Sequence, residues 1–417
     1  MKTEETSEIS SAISNSKSFN LPVQTGLTFA TFLLVGLNSG AFGVLLPQLT
    51  SFYGLDKASV SFFFWAGALG YLIAALSSGF LVAKLGLRAF LGSGLLIFGL
   101  ASLMLCFKPP LALALIARLA LGLGAAIMET GSNFFVSALP RNTTLFNYLH
   151  AFFGAGALFG PLVASFLLAI PWDWNTLFFF WLGFALLLII GITVAFPQKV
   201  PSAPQEKTPS THRKQPESRA SSPMLQALKV PLVWLATFFL LIYVGVEMTL
   251  GLWSYTYLTD GQHFSGIVAG WLVSGYWLGL TMGRMILARL ADKFGMDQRR
   301  LLLASIVGSI AGIALLWAVS NPFLLTFGLW FTGFCLGPIY PTTLAVLSDR
   351  IPQKLLSSTI AFVTSMSILG VAVFPAIAGN LAEGLGLGSL SPYILGQGLL
   401  MLVLWMPLLK PAARIQT

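Results

Sequence analysis

Apolar stretches long enough to cross a bilayer, about 20 residues each, recur along the chain with short polar breaks between them. They lie near 24–49, 58–83, 89–107, 111–138, 147–170, 176–196, 231–258, 266–290, 301–319, 322–348, 355–382 and 391–409. Gly and Pro occur inside them, as membrane helices tolerate. The pattern predicts an all-α membrane protein with twelve transmembrane helices. Residues 197–230 break it with six prolines, a Ser/Thr-rich middle and the cluster His212, Arg213, Lys214. Such a segment cannot bury enough apolar surface to offset its ordering entropy, so a flexible cytoplasmic linker is expected there. The resulting organisation is a cytoplasmic tail over 1–23, a six-helix bundle over 24–196, the linker, a second bundle over 231–409 and a tail over 410–417.

The two bundles repeat one another. The loop after span 2 reads Gly79-Phe-Leu-Val-Ala83-Lys-Leu-Gly86-Leu-Arg88, and the loop after span 8 reads Ala288-Arg289-Leu-Ala-Asp292-Lys-Phe-Gly295. The offset of 209 residues from Gly86 to Gly295 also aligns Val35-Gly36-Leu37-Asn38 with Val244-Gly245-Val246-Glu247. Pseudo-symmetric bundles with a site between them are how many secondary transporters are built.

Charge adds orientation. Only 9% of the 417 residues are charged and 56% are hydrophobic, too few polar groups to coat a soluble protein of this size. With the N-terminus inside, the outer loops hold only Lys57 and Lys108, while 18 basic residues fall in inner loops and tails. Leaving out the six in the linker keeps 12 against 2, so both termini are expected in the cytoplasm, with the chain integral to the plasma (inner) membrane. The net charge of +9 is spread singly between apolar stretches and forms no nucleic-acid patch. Cys106 and Cys335 lie in apolar stretches without metal-ligand spacing. No phosphate loop, nucleophile elbow or zinc-helix motif is present, so no enzyme activity, metal or cofactor is expected. Gly154-x-Gly156-x-x-x-Gly160 lies inside span 5, where close helix packing explains it better than a dinucleotide loop.

The informative positions are polar groups deep in lipid. A carboxylate at mid-membrane costs about 2.5–3.5 kcal/mol on insertion scales and usually faces a cavity or a partner. Glu129 in span 4 and Glu247 in span 7 are the only acidic residues well inside spans. Arg118, Gly122, Ala125, Glu129 and Asn133 fall on one helix face, a stripe suited to a wet cavity. Arg118 and Glu129 are about 16 Å apart along the axis and cannot pair. Spans 7 and 8 offer Tyr243, Trp253, Ser254, Tyr255, Trp271, Ser274, Tyr276 and Trp277, which would cover and bond a sugar ring or serve as packing and lipid anchors. Breaks are expected in span 1, at Asn38-Ser39-Gly40 and Pro47-Gln48, and in span 10, at Gly337-Pro338-Ile339-Tyr340. Trp172 and Trp174 are expected in the interfacial aromatic belt. A small-molecule substrate in a lipid-embedded monomer is the expected set of partners.

The duplicated inner loop and Arg118-x-x-x-Gly122-x-Gly124 resemble the major facilitator superfamily over nearly the whole chain. Glu129-Thr-Gly-Ser-Asn133-Phe-Phe, Asn147-Tyr-Leu-His150 through Pro161, Tyr243-Val-Gly-Val-Glu247 and Ser274 through Arg284 are similar to the fucose permease and sodium-dependent glucose transporter-like branch. That resemblance implies alternating-access transport of a hexose or related sugar with a proton or sodium ion. Substrate contacts are then expected from Asn38, Gln48, Asn133, Glu247, Trp253, Tyr255, Trp277 and Tyr340, and cation coupling from Glu129 and Glu247. Gating is expected from Gly86, Arg88, Arg118, Arg284, Arg289, Asp292 and Gly295. The branch's span 1 aspartate falls at Gly43 and its span 5 asparagine at Phe153, which leaves proton, sodium and uniport modes open. Gly160-Pro161 is shared with drug exporters, so proton-coupled export of amphipathic compounds is the rival reading, and a non-transporting receptor or scaffold the third.

Overall fold

The computed structural model describes residues 21–139, 142–170, 172–196 and 223–409. The two tails, except for Leu21 to Val23, and the linker as far as residue 222 lie outside the described residues. The first half holds α1 (Leu21–Tyr53), α2 (Phe62–Leu85), α3 (Leu87–Cys106), α4 (Leu111–Ser137), α5 (Asn142–Ala169) and α6 (Thr176–Ala195). The second holds α7 (Pro231–Thr256), α8 (Gly266–Lys293), α9 (Gln298–Ala318), α10 in two pieces (Pro322–Leu336 and Ile339–Arg350), α11 in two pieces (Gln353–Ser367 and Gly370–Leu385) and α12 (Leu390–Trp405). Eleven helices are apolar and long enough to cross a membrane among the described residues. The twelfth is α8, whose Ser274, Tyr276, Trp277 and Arg284 dilute its hydropathy although it packs against α5 and α10 like a span. Two faces result: the α2–α3 and α8–α9 turns mark the near face, and the α1–α2 and α7–α8 turns the far face.

Lipid offers no hydrophobic drive between helices, so close packing of small residues must hold them. At Gly36 and Gly40 of α1 and Gly156 and Gly160 of α5, an added Cβ would overlap the partner helix's main-chain carbonyl, from Phe153, Ala157, Leu33 and Leu37 respectively. The glycine spacing of span 5 therefore serves packing, with Gly154 turned instead to Thr281 of α8. The repeat extends to these contacts. Gly70 abuts Leu119 and Gly122 abuts Gly67, just as Gly279 abuts Trp330 and Gly333 abuts Tyr276. Gly86 and Gly295, at φ 76° and 63°, occupy the same left-handed turn in each half, where glycine carries no Cβ penalty. Gly156→Ala is expected to destabilise the purified protein by at least the ~1–3 kcal/mol of an overpacked core. Gly183→Ala, where nothing lies within reach, should leave the melting temperature unchanged or raise it.

Four local expectations change. Span 1 is continuous: α1 runs unbroken through Ser39, Gly40 and Pro47, because the backbone of α5 supports the Gly36–Gly40 segment. Span 10 does break, at Gly337 and Pro338, and α11 breaks as well, at Ile368 and Leu369. Just before that break, Thr364 and Ser367 turn their hydroxyls back onto the main-chain oxygens of Ile360 and Thr364. The end of the expected linker is folded, since Pro223–Ala227 is a short helix, Ala227 is buried and the Trp234 indole donates to the Leu228 carbonyl. Trp172 is half exposed, but Trp174 is only 3% exposed, wedged between Phe52, Tyr53 and Phe178. It packs the far end of α1 against α6 instead of facing lipid.

Candidate functional site

Glu247 on α7 and Arg284 on α8 form an ion pair of 3.0 Å in the middle of the second half. Helix geometry brings them together: Tyr276, two turns before Arg284, donates its hydroxyl to the Glu247 main-chain oxygen at 2.9 Å and pins the two helices. Tyr243, one turn before Glu247, stands beside both charges with a buried hydroxyl that makes no hydrogen bond of ordinary geometry. Its ring lies 6.0 Å from that of Tyr340, which follows the break in α10. That break carries Tyr340 toward the pair.

In the first half, Tyr71 on α2 donates to Glu129 Oε2 at 2.5 Å. No cation pairs with Glu129 among the described residues. Tyr71 also stands within electrostatic reach of Tyr340. Glu129 and Tyr340 are themselves equivalent, by the 211-residue offset that relates Leu119 to Trp330 and Gly122 to Gly333. Asn38 and Glu247 are the second equivalent pair. The scaffold is two-fold, but the charges on it are not. Nearer the far face, Arg118 lies 3.9 Å over the Phe42 ring, with Gly67 beneath it and its Nε buried and unbonded. The Asn133 Oδ1 is likewise buried without a partner.

Toward the far face the halves are in contact, below a cavity of about 350 Å³ lined by Pro47, Thr50, Lys57, Trp253, Thr256 and Asp260. Gly43 meets Gly251 and Leu252, the Phe64 ring meets Trp253 edge-on at 6.0 Å, and Gly379 sits against Lys57 and Ser61. Glu383 accepts from the Lys57 main-chain N–H at 2.9 Å and pairs with its ammonium at 4.0 Å. In the same turn the Ser59 main-chain N–H donates to Asp56 and holds that carboxyl below its usual range. Toward the near face the halves part. Along one side of α5, Ser165 touches Gly270 and Gly154 touches Thr281, while His150 and Asn147, one and two turns further on, are exposed. A cleft therefore leads from the near face to the charged pairs, and His150 stands across it within electrostatic reach of Arg284.

Not all expected site residues meet here. Glu247, Tyr340, Glu129 and Arg284 converge; Asn133 lies one turn from Glu129 on α4, and Asn38 is buried on α1. Trp253 is 1% exposed, its indole committed to the Pro375 carbonyl at 2.9 Å as part of the far seal. Trp277, 2% exposed, backs onto Gly251, and Tyr255 is turned toward Gly266 at the far end of α8. Gln48 is exposed near the far end of α1. Gly86, Arg88, Arg289 and Gly295 sit at the near-face turns, and the side chain of Asp292 lies outside the described residues. Arg284 is placed with the central pair, apart from those turns. Tyr71 and the Lys57–Glu383 latch were not evident from residue type; a tyrosine in the apolar run of span 2 was the available signal.

Two repeated six-helix bundles around a polar cleft open at one face define a secondary transporter. A family model described as Major Facilitator Superfamily matches residues 28–269 and 240–416, and the chain belongs to that family. "Bypass of stop codon protein 6" of Saccharomyces cerevisiae is 26% identical over 385 residues, covering 85% of this chain and 76% of its own. The 3-(3-hydroxy-phenyl)propionate transporter of Escherichia coli is 27% identical over 415 residues, covering 94% and 95%. The crystal structure of the E. coli fucose:proton symporter superposes with a TM-score of 0.62 at 17% identity, covering 93% of this chain and 99% of that one. The protein is thus an integral multi-pass carrier of a small molecule.

Proposed function

We propose that this carrier is a proton-coupled symporter of a small hydroxylated solute, a hexose or related sugar, working by alternating access with its near face in the cytoplasm. The observation that carries the proposal is Glu129: a carboxylate inside a span, beside the cleft, with a neutral hydroxyl as its partner. Such a group can take up and release a proton as access switches, whereas Glu247 has its charge balanced by Arg284. Orientation rests on the near-face turns, which carry Lys84, Arg88, Lys293, Arg299, Arg300 and Lys354. The far-face lysines, Lys57 and Lys108, are each tied to a carboxylate, Glu383 and Asp173. With that orientation the cleft is open inward. The fucose symporter shares the fold, and the hydroxyphenylpropionate relative also carries a hydroxylated solute, which supports the solute class.

The test is counterflow of labelled hexoses in proteoliposomes, followed by uptake under a pH gradient or a sodium gradient. Accumulation driven by the pH gradient alone is expected. Silence toward every hydroxylated solute, with drug resistance in expressing cells, would replace symport by export.

A further inference from the structure

We infer that the transported solute carries a carboxylate, which docks on the Arg284 guanidinium and displaces Glu247 from it. The substrate class is then a hydroxylated monocarboxylate. This rests on the symporter reading above, keeps its hydroxylated solute and puts an acid in place of the neutral hexose.

The argument starts from the donors of Arg284. A guanidinium presents five N–H donors in a planar fork that matches a carboxylate through two parallel bonds. Arg284 uses one contact to Glu247, Nη2 to Oε1 at 3.0 Å, and its Nε is buried without a partner. Its side chain is 32% exposed and Glu247 only 12%. The pair rests on a single contact instead of a two-bonded fork, and the partly exposed guanidinium keeps donors for a second anion. A neutral hydroxyl can accept from one of those donors, but only a carboxylate meets the fork with two charge-assisted bonds.

The surroundings fit an exchange of anions. Tyr243, whose buried hydroxyl stands beside both charges, is placed to donate fully to Glu247 once the guanidinium turns to the solute. Tyr276 cannot take that role, because its hydroxyl is committed to the Glu247 main chain. The other groups facing the pair are Tyr340 on α10 and His150 on α5, with Tyr71 and Glu129 beyond Tyr340. They supply polar partners for hydroxyl groups but no second cation. The two tryptophans that would have stacked on a neutral ring are buried, so charge is the strongest handle the cleft offers.

The experiment uses the purified full chain in detergent and in proteoliposomes, with D-gluconate, D-glucuronate and 4-hydroxyphenylacetate as acid probes and D-glucose as the neutral one. Acids are expected to bind and to drive counterflow at concentrations where glucose does neither; which acid works separates sugar acids from hydroxyaryl acids. Glu247→Gln removes the competing carboxylate and should tighten acid binding about 10-fold, while Arg284→Gln should weaken it by at least as much. Should either variant fail to fold, phenylglyoxal modification of Arg284 in the unmodified chain, read by mass spectrometry, should be slowed by the acid and not by glucose. Glucose counterflow without acid binding overturns this inference and leaves the symporter reading standing. Counterflow with neither class overturns both.

Discussion

Joining position 57 to position 383 with a short thiol cross-linker, in a Lys57→Cys, Glu383→Cys variant, is expected to reduce transport to the level of empty liposomes. The far face is sealed where the α1–α2 turn meets the end of α11, and Lys57 and Glu383 are the polar ends of that seal. Alternating access requires this contact to part once per cycle, so a covalent tie across it holds the cleft open to the near face alone. Reducing the cross-link should restore flux. Without cross-linker the same variant loses a partly exposed ion pair, worth about 0–1 kcal/mol, and one exposed hydrogen bond from the Lys57 main chain, and should still transport. Cys106 and Cys335 are buried and add no background reaction. A cysteine at His150, on the open side of α5, should stay reactive toward a water-soluble thiol reagent in the cross-linked protein. Full transport by the cross-linked protein would show that the 57–383 contact is not a gate.

Glu129→Gln is expected to abolish accumulation driven by a pH gradient while sparing solute exchange. Glutamine keeps the size of the side chain and accepts from Tyr71 as the carboxylate does. It cannot carry a proton. The loaded carrier should still reorient, so counterflow persists, but a solute gradient can no longer be built: the steady-state ratio should fall to about one, from roughly tenfold per pH unit for one proton per solute. Measuring internal solute at equilibrium with an imposed gradient decides the matter. Gradient-driven accumulation by the variant would remove Glu129 as the coupling group. Tyr71→Phe, which leaves the carboxylate in place without its donor, should shift the pH dependence of uptake instead of eliminating coupling.

How much of this was legible in the residues differs by level. The twelve spans could be read because lipid demands long apolar runs with their hydrogen bonds satisfied internally. The halves could be read because Gly86 and Gly295 mark the same turn, and because Asn38 and Glu247 align. Glu129 and Glu247 stood out since a carboxylate in a span is costly. Their partners did not: Tyr71 is 58 residues from Glu129 and Arg284 is 37 from Glu247, and only helix packing brings each to its carboxylate. The aromatic residues misled for the same reason. Trp253, Trp277 and Tyr255 have the chemistry to cover a ring, but whether an indole faces a cleft or a neighbouring helix depends on helix rotation, which residue type does not encode. The Pro-Gly signal failed in α1 and held in α10. In α1 the glycines are spent on the crossing with α5, and the helix stays whole.

The unequal placement of charge on a two-fold scaffold has an electrical consequence. The Glu247–Arg284 pair moves no net charge through the membrane field as access switches. Deep in the spans of the first half stand Arg118 and Glu129, with opposite signs but no contact. While Glu129 is ionised the four residues sum to zero, and with a proton on Glu129 they sum to plus one. On that reading the membrane potential, about 2.3 kcal/mol per elementary charge per 100 mV, acts on the carrier that holds a proton without its solute and ignores the ionised, empty one. With the monocarboxylate bound, the protonated carrier sums to zero as well, so voltage would drive neither the loaded step nor the empty return.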